Sequence, residues 1–310
     1  MNAIDELANT RRFDDRRPPP EAALRWPNGA GLAVSFVLNI EEGAELSIAS
    51  GDASNEAVHE VTNRIEEVPD YCMSTHFEYG ARAGYARVIR RFADAGLPLT
   101  LNVCGRAIEQ TPNVAEDARR YGFEMCGHGW RWESPARMDE AQEASLIAKT
   151  AAVIKSLAGT APVGWHNKSS RSHRTRRLLR EHGDFIYDSD DYGGDLPYLL
   201  DLKDGRPPHV VVPYAFDTND MRFFDRGGFV RAADFAGYVG DAIDALLAEA
   251  DDSPRMLTIG LHTRIIGRPG RIAGLDGILR HVERLRSRLD VLTRADIARH
   301  WLANAAWPTR

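Results

Sequence analysis

The chain has 310 residues, 43% of them hydrophobic and 27% charged, with a formal net charge of -6 and a pI near 5.9. Such a chain holds ample apolar material for a core, and its acidity argues against a nucleic-acid surface, because phosphate binding leaves a basic footprint. Three cysteines, Cys72, Cys104 and Cys126, form neither an even set nor a CxxC pair, so a disulfide framework and a cysteine zinc site are not expected. No apolar run has signal-peptide or membrane-span length, and a cytoplasmic protein without membrane contacts is the expectation.

Residues 1–30 are charged and then proline-rich, which predicts an irregular arm before a body at 31–303 and a short tail at 304–310. The run LAVSFVLNI at 32–40 reads as a buried strand that delivers Glu41, Glu42 and Gly43 at its end. Residues 44–78 are mixed and loop-like, and helical spacing over 81–95 stops at Gly96. The pattern then repeats as strand 97–103, helix 114–121, strand 123–126 and helix 139–157. Strand 162–165 precedes a basic helix over 174–182, whose arginines are expected to be solvated. Strand 185–187 leads into DSDDYGGDLPY, and 210–212 is a further strand. Helix 234–250, strand 256–261 ending at His262, helix 274–285, the pair 291–292 and a helix from 294 complete the chain.

About seven strands alternating with helices predict a parallel sheet, as one closed or nearly closed (β/α) barrel or as a doubly wound open sheet. Either architecture gathers its site at the C-terminal strand ends, where Glu41, Glu42, His128, Asp188 and His262 fall.

The stretch FEMCGHGWRWE is the most informative. His128 stands between two glycines at a strand end, and four residues on, where a second nitrogen ligand would complete a metal-binding pair, stands Trp132. Of the acidic pair Glu41 and Glu42, one member is a candidate base. His262, with Arg264, Arg268 and Arg271 just behind it, is placed to protonate a leaving nitrogen. Asp188 could orient a basic partner, and Trp165 reads first as packing.

These residues resemble the polysaccharide deacetylase superfamily with NodB homology, and within it the metal-independent allantoinase branch, over roughly residues 26–303. The resemblance implies a single-domain, distorted (β/α) barrel with seven strands. The superfamily's Asp-Asp-Gly, base and metal ligand, corresponds to Glu41, Glu42 and Gly43. Its HxxxH corresponds to His128 through Trp132, and its Leu-x-His, which supplies the general acid, to Leu261 and His262. The segments FVLNIEEG, EYGARAG, YDSDDYGGDLPY, VVPYAFDTNDMRF, LHTRIIGRPGR and ADIARHW are similar to that branch. GWHNKSSRSHRTRRLL, with His166, Asn167 and Lys168, departs from it, as does His76 in THFEYG; these lie at the rim that would hold a substrate, so the resemblance does not single out allantoin among small cyclic amides.

The resemblance implies a hydrolase of non-peptide carbon–nitrogen bonds, opening a small cyclic amide such as allantoin, a hydantoin or a cyclic imide, and working as a homo-oligomer. Its expected catalytic residues are Glu41, Glu42, His128 and His262, with Trp132, Trp165, His166, Asp188 and Arg268 toward the substrate. With Glu42 and His128 alone the protein offers two ligands, short of the three usual for catalytic zinc, so no tightly bound metal is expected. Should zinc bind, His76 is the residue to join them. The rival expectations are a metal-dependent polysaccharide or peptidoglycan N-deacetylase and a non-catalytic ligand-binding barrel.

Overall fold

The computed structural model describes residues 24–251 and 253–305. One nine-stranded sheet organises them. β1 (Leu32–Ile40) lies at its centre and every one of its residues is buried, as a strand rich in Val, Leu, Ile and Phe and covered on both faces requires; Ser35 and Asn39 are its two polar members. On one side it pairs with β8 (Arg255–His262), and on the other with β9 (Leu289–Val291) along its first residues and β2 (Thr100–Val103) along its last. The sheet continues through β3 (Glu124–Gly127), β4 (Gly164–Trp165), β5 (Tyr187–Asp188) and β7 (His209–Val211), all parallel. It ends on β6 (Tyr198–Leu200), which is antiparallel to β7.

The sheet curls into a half-barrel, the (β/α) architecture anticipated, and its open side is bridged by the chain after β7. Asn219 pairs with Gly260, and Thr218 Oγ1 donates to the carbonyl of Thr258. From within, the fully buried Arg294 donates to Thr258, Ser189 and the carbonyl of Pro213, joining strands on both sides of the gap. The first core cluster fills the space between the sheet and its outer helices with Phe36, Phe92, Val88, Ile243 and Leu275. Trp26 is buried against Trp301 on the other side; residues 1–23 of the expected arm and 306–310 of the tail lie outside the described residues.

Two differences from the sequence expectation bear on the site. The first helix begins at Tyr71, capped by Asp70, and runs through a π-turn at Gly80–Gly84 into Tyr85–Ala95. A Cβ at Gly80 would collide with Glu42 and Thr263, and one at Gly84 with the Thr263 backbone, so GARAG is the seam where this helix closes on the strand-end residues. The basic helix, Thr175–His182, is also not a solvated face throughout. Arg176 and Arg180 are buried against Asp188 and Asp204, while Arg177 alone of the three is exposed, between Glu140 and Glu181.

Candidate active site

β1, β3 and β8 bring Glu41, His128 and His262 together. Glu41 Oε1 lies 3.4 Å from His128 Nε2 and 3.6 Å from His262 Nε2, and all three residues are at most 3% exposed. Its other oxygen accepts from Arg264 Nη1 at 2.6 Å. Burial alone would raise the Glu41 pKa, but Arg264 and the two histidines reverse this and hold it well below the usual carboxylate range. Glu42, though adjacent, turns away because successive side chains leaving a strand diverge. It accepts from Thr263 Oγ1 and from the Glu41 backbone N–H, and burial raises its pKa.

The two imidazoles are oriented differently. His128 Nδ1 lies 2.6 Å from the His166 carbonyl, which can only accept, so Nδ1 carries a proton and Nε2 is the nitrogen that faces Glu41. His262 Nδ1 meets Asp220 Oδ1 at 2.7 Å, while Asp220 Oδ2 accepts from the His262 and Ile266 backbone N–H groups. Burial would lower the His262 pKa, but Glu41 and Asp220 together raise it, so its protonated form, with Nε2–H toward Glu41, is favoured.

Asp220 escaped the sequence analysis. It lies in VVPYAFDTNDMRF, but neither strand periodicity nor local spacing shows that the chain bridging the open sheet would set it behind β8. Arg264 and Glu60 were missed as site residues for the same reason: Arg264 Nε donates to Glu60 Oε1 at 3.0 Å across more than two hundred residues of sequence.

The loop between β1 and the first helix covers the centre. Asp52 pairs with Arg131, Glu56 with Lys168 and Glu60 with Arg264. His166 stacks on His128 at 5.3 Å and on Tyr214 at 4.5 Å between centroids, with Nδ1 3.1 Å from Asp190 Oδ1. Burial lowers its pKa, although Asp190 opposes this. Asp190 also holds Asn167 through its backbone and side-chain amides. From Asp190 a cavity of about 420 Å³ opens along Ser169, Ser170, Ser172, His173 and Tyr192.

Other expected site residues are placed differently. Asp188 does orient basic partners, but it is fully buried and bonded to Arg176, His209 and the Asp190 backbone, which leaves nothing for substrate. Trp165 packs in the core against Phe185 and over Gly127, where a Cβ would strike its ring, and its indole N–H donates to Asn167. Trp132 is buried between cations instead of lying open for a flat ring: Lys168 Nζ stands 3.7 Å and the Arg264 guanidinium carbon 5.1 Å from its ring centroid. Arg268 lies at the rim, donating to His76 Nδ1 at 3.0 Å and stacking over Tyr79.

The metal site implied by the family resemblance does not fit these residues. Trp132 offers no ligand atom, Glu42 is bonded to Thr263, and His76 faces Arg268 and Glu60 instead of joining Glu42 and His128. The side chains that do converge, Glu41, His128 and His262, share their carboxylate with a guanidinium. Among the described residues no group of three or more His, Cys, Asp or Glu is arranged to hold a metal ion.

A polysaccharide deacetylase family model matches residues 66–183. A Schizosaccharomyces pombe protein named as a polysaccharide deacetylase is 33% identical over 317 aligned positions, covering 96% of this chain and 98% of that one. The crystal structure of PuuE allantoinase superposes with a TM-score of 0.85 at 40% identity, covering 95% of this chain and 97% of that one. A Pseudomonas aeruginosa PAO1 structure named as a polysaccharide deacetylase gives a TM-score of 0.87 at 38% identity, covering 94% and 97%. The chain belongs to the polysaccharide deacetylase family.

Proposed function

We propose that the chain opens a small cyclic amide or ureide by hydrolysis of a non-peptide carbon–nitrogen bond. The observation that carries this is Glu41 Oε1, a carboxylate oxygen between the Nε2 atoms of His128 and His262. Water held there gives a proton to Glu41 Oε1 as its oxygen attacks the ring carbonyl. The carbon–nitrogen bond then breaks, and the His262 Nε2–H passes its proton to the departing ring nitrogen. The products are a carboxylic acid and an N–H group on one opened chain, and the proton taken from water passes from Glu41 to His262 Nε2, 3.6 Å away, which restores both groups.

A cyclic ureide is an easier target than an N-acetyl amide, because ring strain and delocalisation at the leaving nitrogen lower the barrier that a Lewis acid would otherwise address. The small, covered centre suits a compact ring better than a polymer. The likeness to an allantoinase over nearly the whole of both chains supports the same class. His166, Asn167 and Lys168, set between His128, Asp190 and the Glu56 side chain, favour a ring other than allantoin.

The test is hydrolysis of allantoin, hydantoin, succinimide and an N-acetylglucosamine oligomer by protein stripped with chelator, and again with zinc added. Ring opening that survives chelation is expected. Acetate release only with zinc would replace this proposal by a metal-dependent N-deacetylase, and no turnover of any substrate would favour a ligand-binding barrel.

A further inference from the structure

Arg264 is fully buried at the centre of the site. Its Nη1 holds Glu41 Oε2 at 2.6 Å and its Nε holds Glu60 Oε1 at 3.0 Å. Its guanidinium carbon lies 4.5 Å from the Phe77 ring centroid and 5.1 Å from that of Trp132. Trp132 is the residue that stands in place of a second nitrogen ligand. The remaining nitrogen, Nη2, is buried without a hydrogen-bond partner, as is Glu60 Oε2. A donor left unsatisfied in a buried centre is costly, so such a group in a native fold is met by a water or by a ligand.

We infer that the Arg264 guanidinium is the resident cation of this centre: it supplies beside Glu41 the positive charge that a divalent ion would otherwise bring, and it keeps such an ion out. A guanidinium suits the task because its charge is permanent and its flat faces lie against aromatic rings, here Phe77 and Trp132. A divalent cation binding Glu41 would have to share that carboxylate with a fixed positive charge in a poorly screened interior, so the two cations exclude one another. Trp132 completes the arrangement by denying a metal its ligand and giving the guanidinium a ring to lie against. With substrate bound, the unpartnered Nη2 is the donor available to the carbonyl oxygen. This assignment rests on the proposed reading only in taking Glu41 as the pocket carboxylate.

The test is zinc uptake, which needs no substrate. Chelator-stripped protein, Trp132→His, Arg264→Gln and the Trp132→His/Arg264→Gln double variant are dialysed against zinc, and bound metal is measured with circular dichroism as the check on folding. The double variant is expected to take up about one zinc per chain, at least tenfold more tightly than either single variant, while Trp132→His binds no more than the parent. Zinc binding by Trp132→His as tight as by the double variant would overturn the exclusion, and so would a folded double variant with no gain. Should the Arg264→Gln proteins fail to fold, Trp132→His still decides: zinc uptake by it overturns the assignment, and its refusal of zinc supports it. Failure on the substrate panel with the expected zinc pattern would count against ring opening alone.

Discussion

Two buried carboxylates end strands of the same sheet, and each is met by an arginine and by histidine. Asp188, at the end of β5, has both oxygens occupied: Arg176 donates to each at 2.8 and 3.3 Å, His209 Nε2 lies 2.8 Å from one, and the Asp190 backbone donates to the other. Glu41, at the end of β1, has one oxygen on Arg264 at 2.6 Å, while the other meets two imidazoles at 3.4 and 3.6 Å, longer than the roughly 2.7–3.2 Å of ordinary N–H···O bonds. In both, burial raises the pKa and the cations outweigh it, so both are charged. What separates a structural carboxylate from a candidate catalytic one is therefore neither burial nor charge. It is whether an oxygen retains capacity for a ligand.

The sharpest way to break this comparison is to neutralise each carboxylate in turn. Glu41→Gln is expected to lower kcat by about 10²–10⁴, the span of a lost acid–base group, in a protein that still folds, as circular dichroism and steady-state kinetics on the opened ring would show. Asp188→Asn should do the reverse. It leaves Arg176 buried without its anion, at a cost of about 3–5 kcal/mol in denaturant unfolding, with kcat per folded molecule nearly unchanged. Equal losses of turnover in both would mean that Asp188 takes part in the chemistry after all.

Asp220→Asn sharpens the contrast through pH. The raised pKa of His262 keeps it protonated above the ordinary histidine value of about 6.5, and the acid is lost as pH rises through the raised value. Removing one of the two anions that raise it should move the alkaline limb of the rate profile to lower pH, whereas an unmoved limb would detach Asp220 from the acid. The sign for stability is the same. The contribution of the charged His262 is fully present below its unfolded pKa and disappears as pH rises through the folded one. The smallest effect belongs to Arg177→Ala, which removes two exposed ion pairs on the helix that carries Arg176 and should change stability by no more than about 0.5 kcal/mol. A larger loss would show that the solvated face of this helix matters as well as its buried one.

Much of this centre was legible before folding. A continuous apolar run announces a fully buried strand, since side chains on both faces must be apolar, and that alone puts Glu41 and Glu42 at a strand end. The GHG turn and the LTIGLH run likewise place His128 and His262. Asp188 was legible as a residue that orients a base, yet not as one left with no capacity for substrate, because its partners Arg176 and His209 lie 12 and 21 residues along the chain. The arginines of 174–182 looked solvated because helical spacing shows which residues share a face but not which face meets an acidic strand end.

Most of the strands, the parallel run of the sheet and the three strand-end residues at the centre follow from local pattern, because hydrophobic periodicity and turn chemistry are local properties; the antiparallel edge strand β6, at the end of DSDDYGGDLPY, does not. Folding was needed to turn Glu41 toward both histidines and Glu42 toward Thr263, to set Asp220 behind His262, and to lay Arg264 and Lys168 against Trp132. Those contacts join segments as far apart as Glu41 and Arg264. Charge and hydrogen-bond complementarity act over a few ångströms of space and leave no mark on the spacing of residues along a chain.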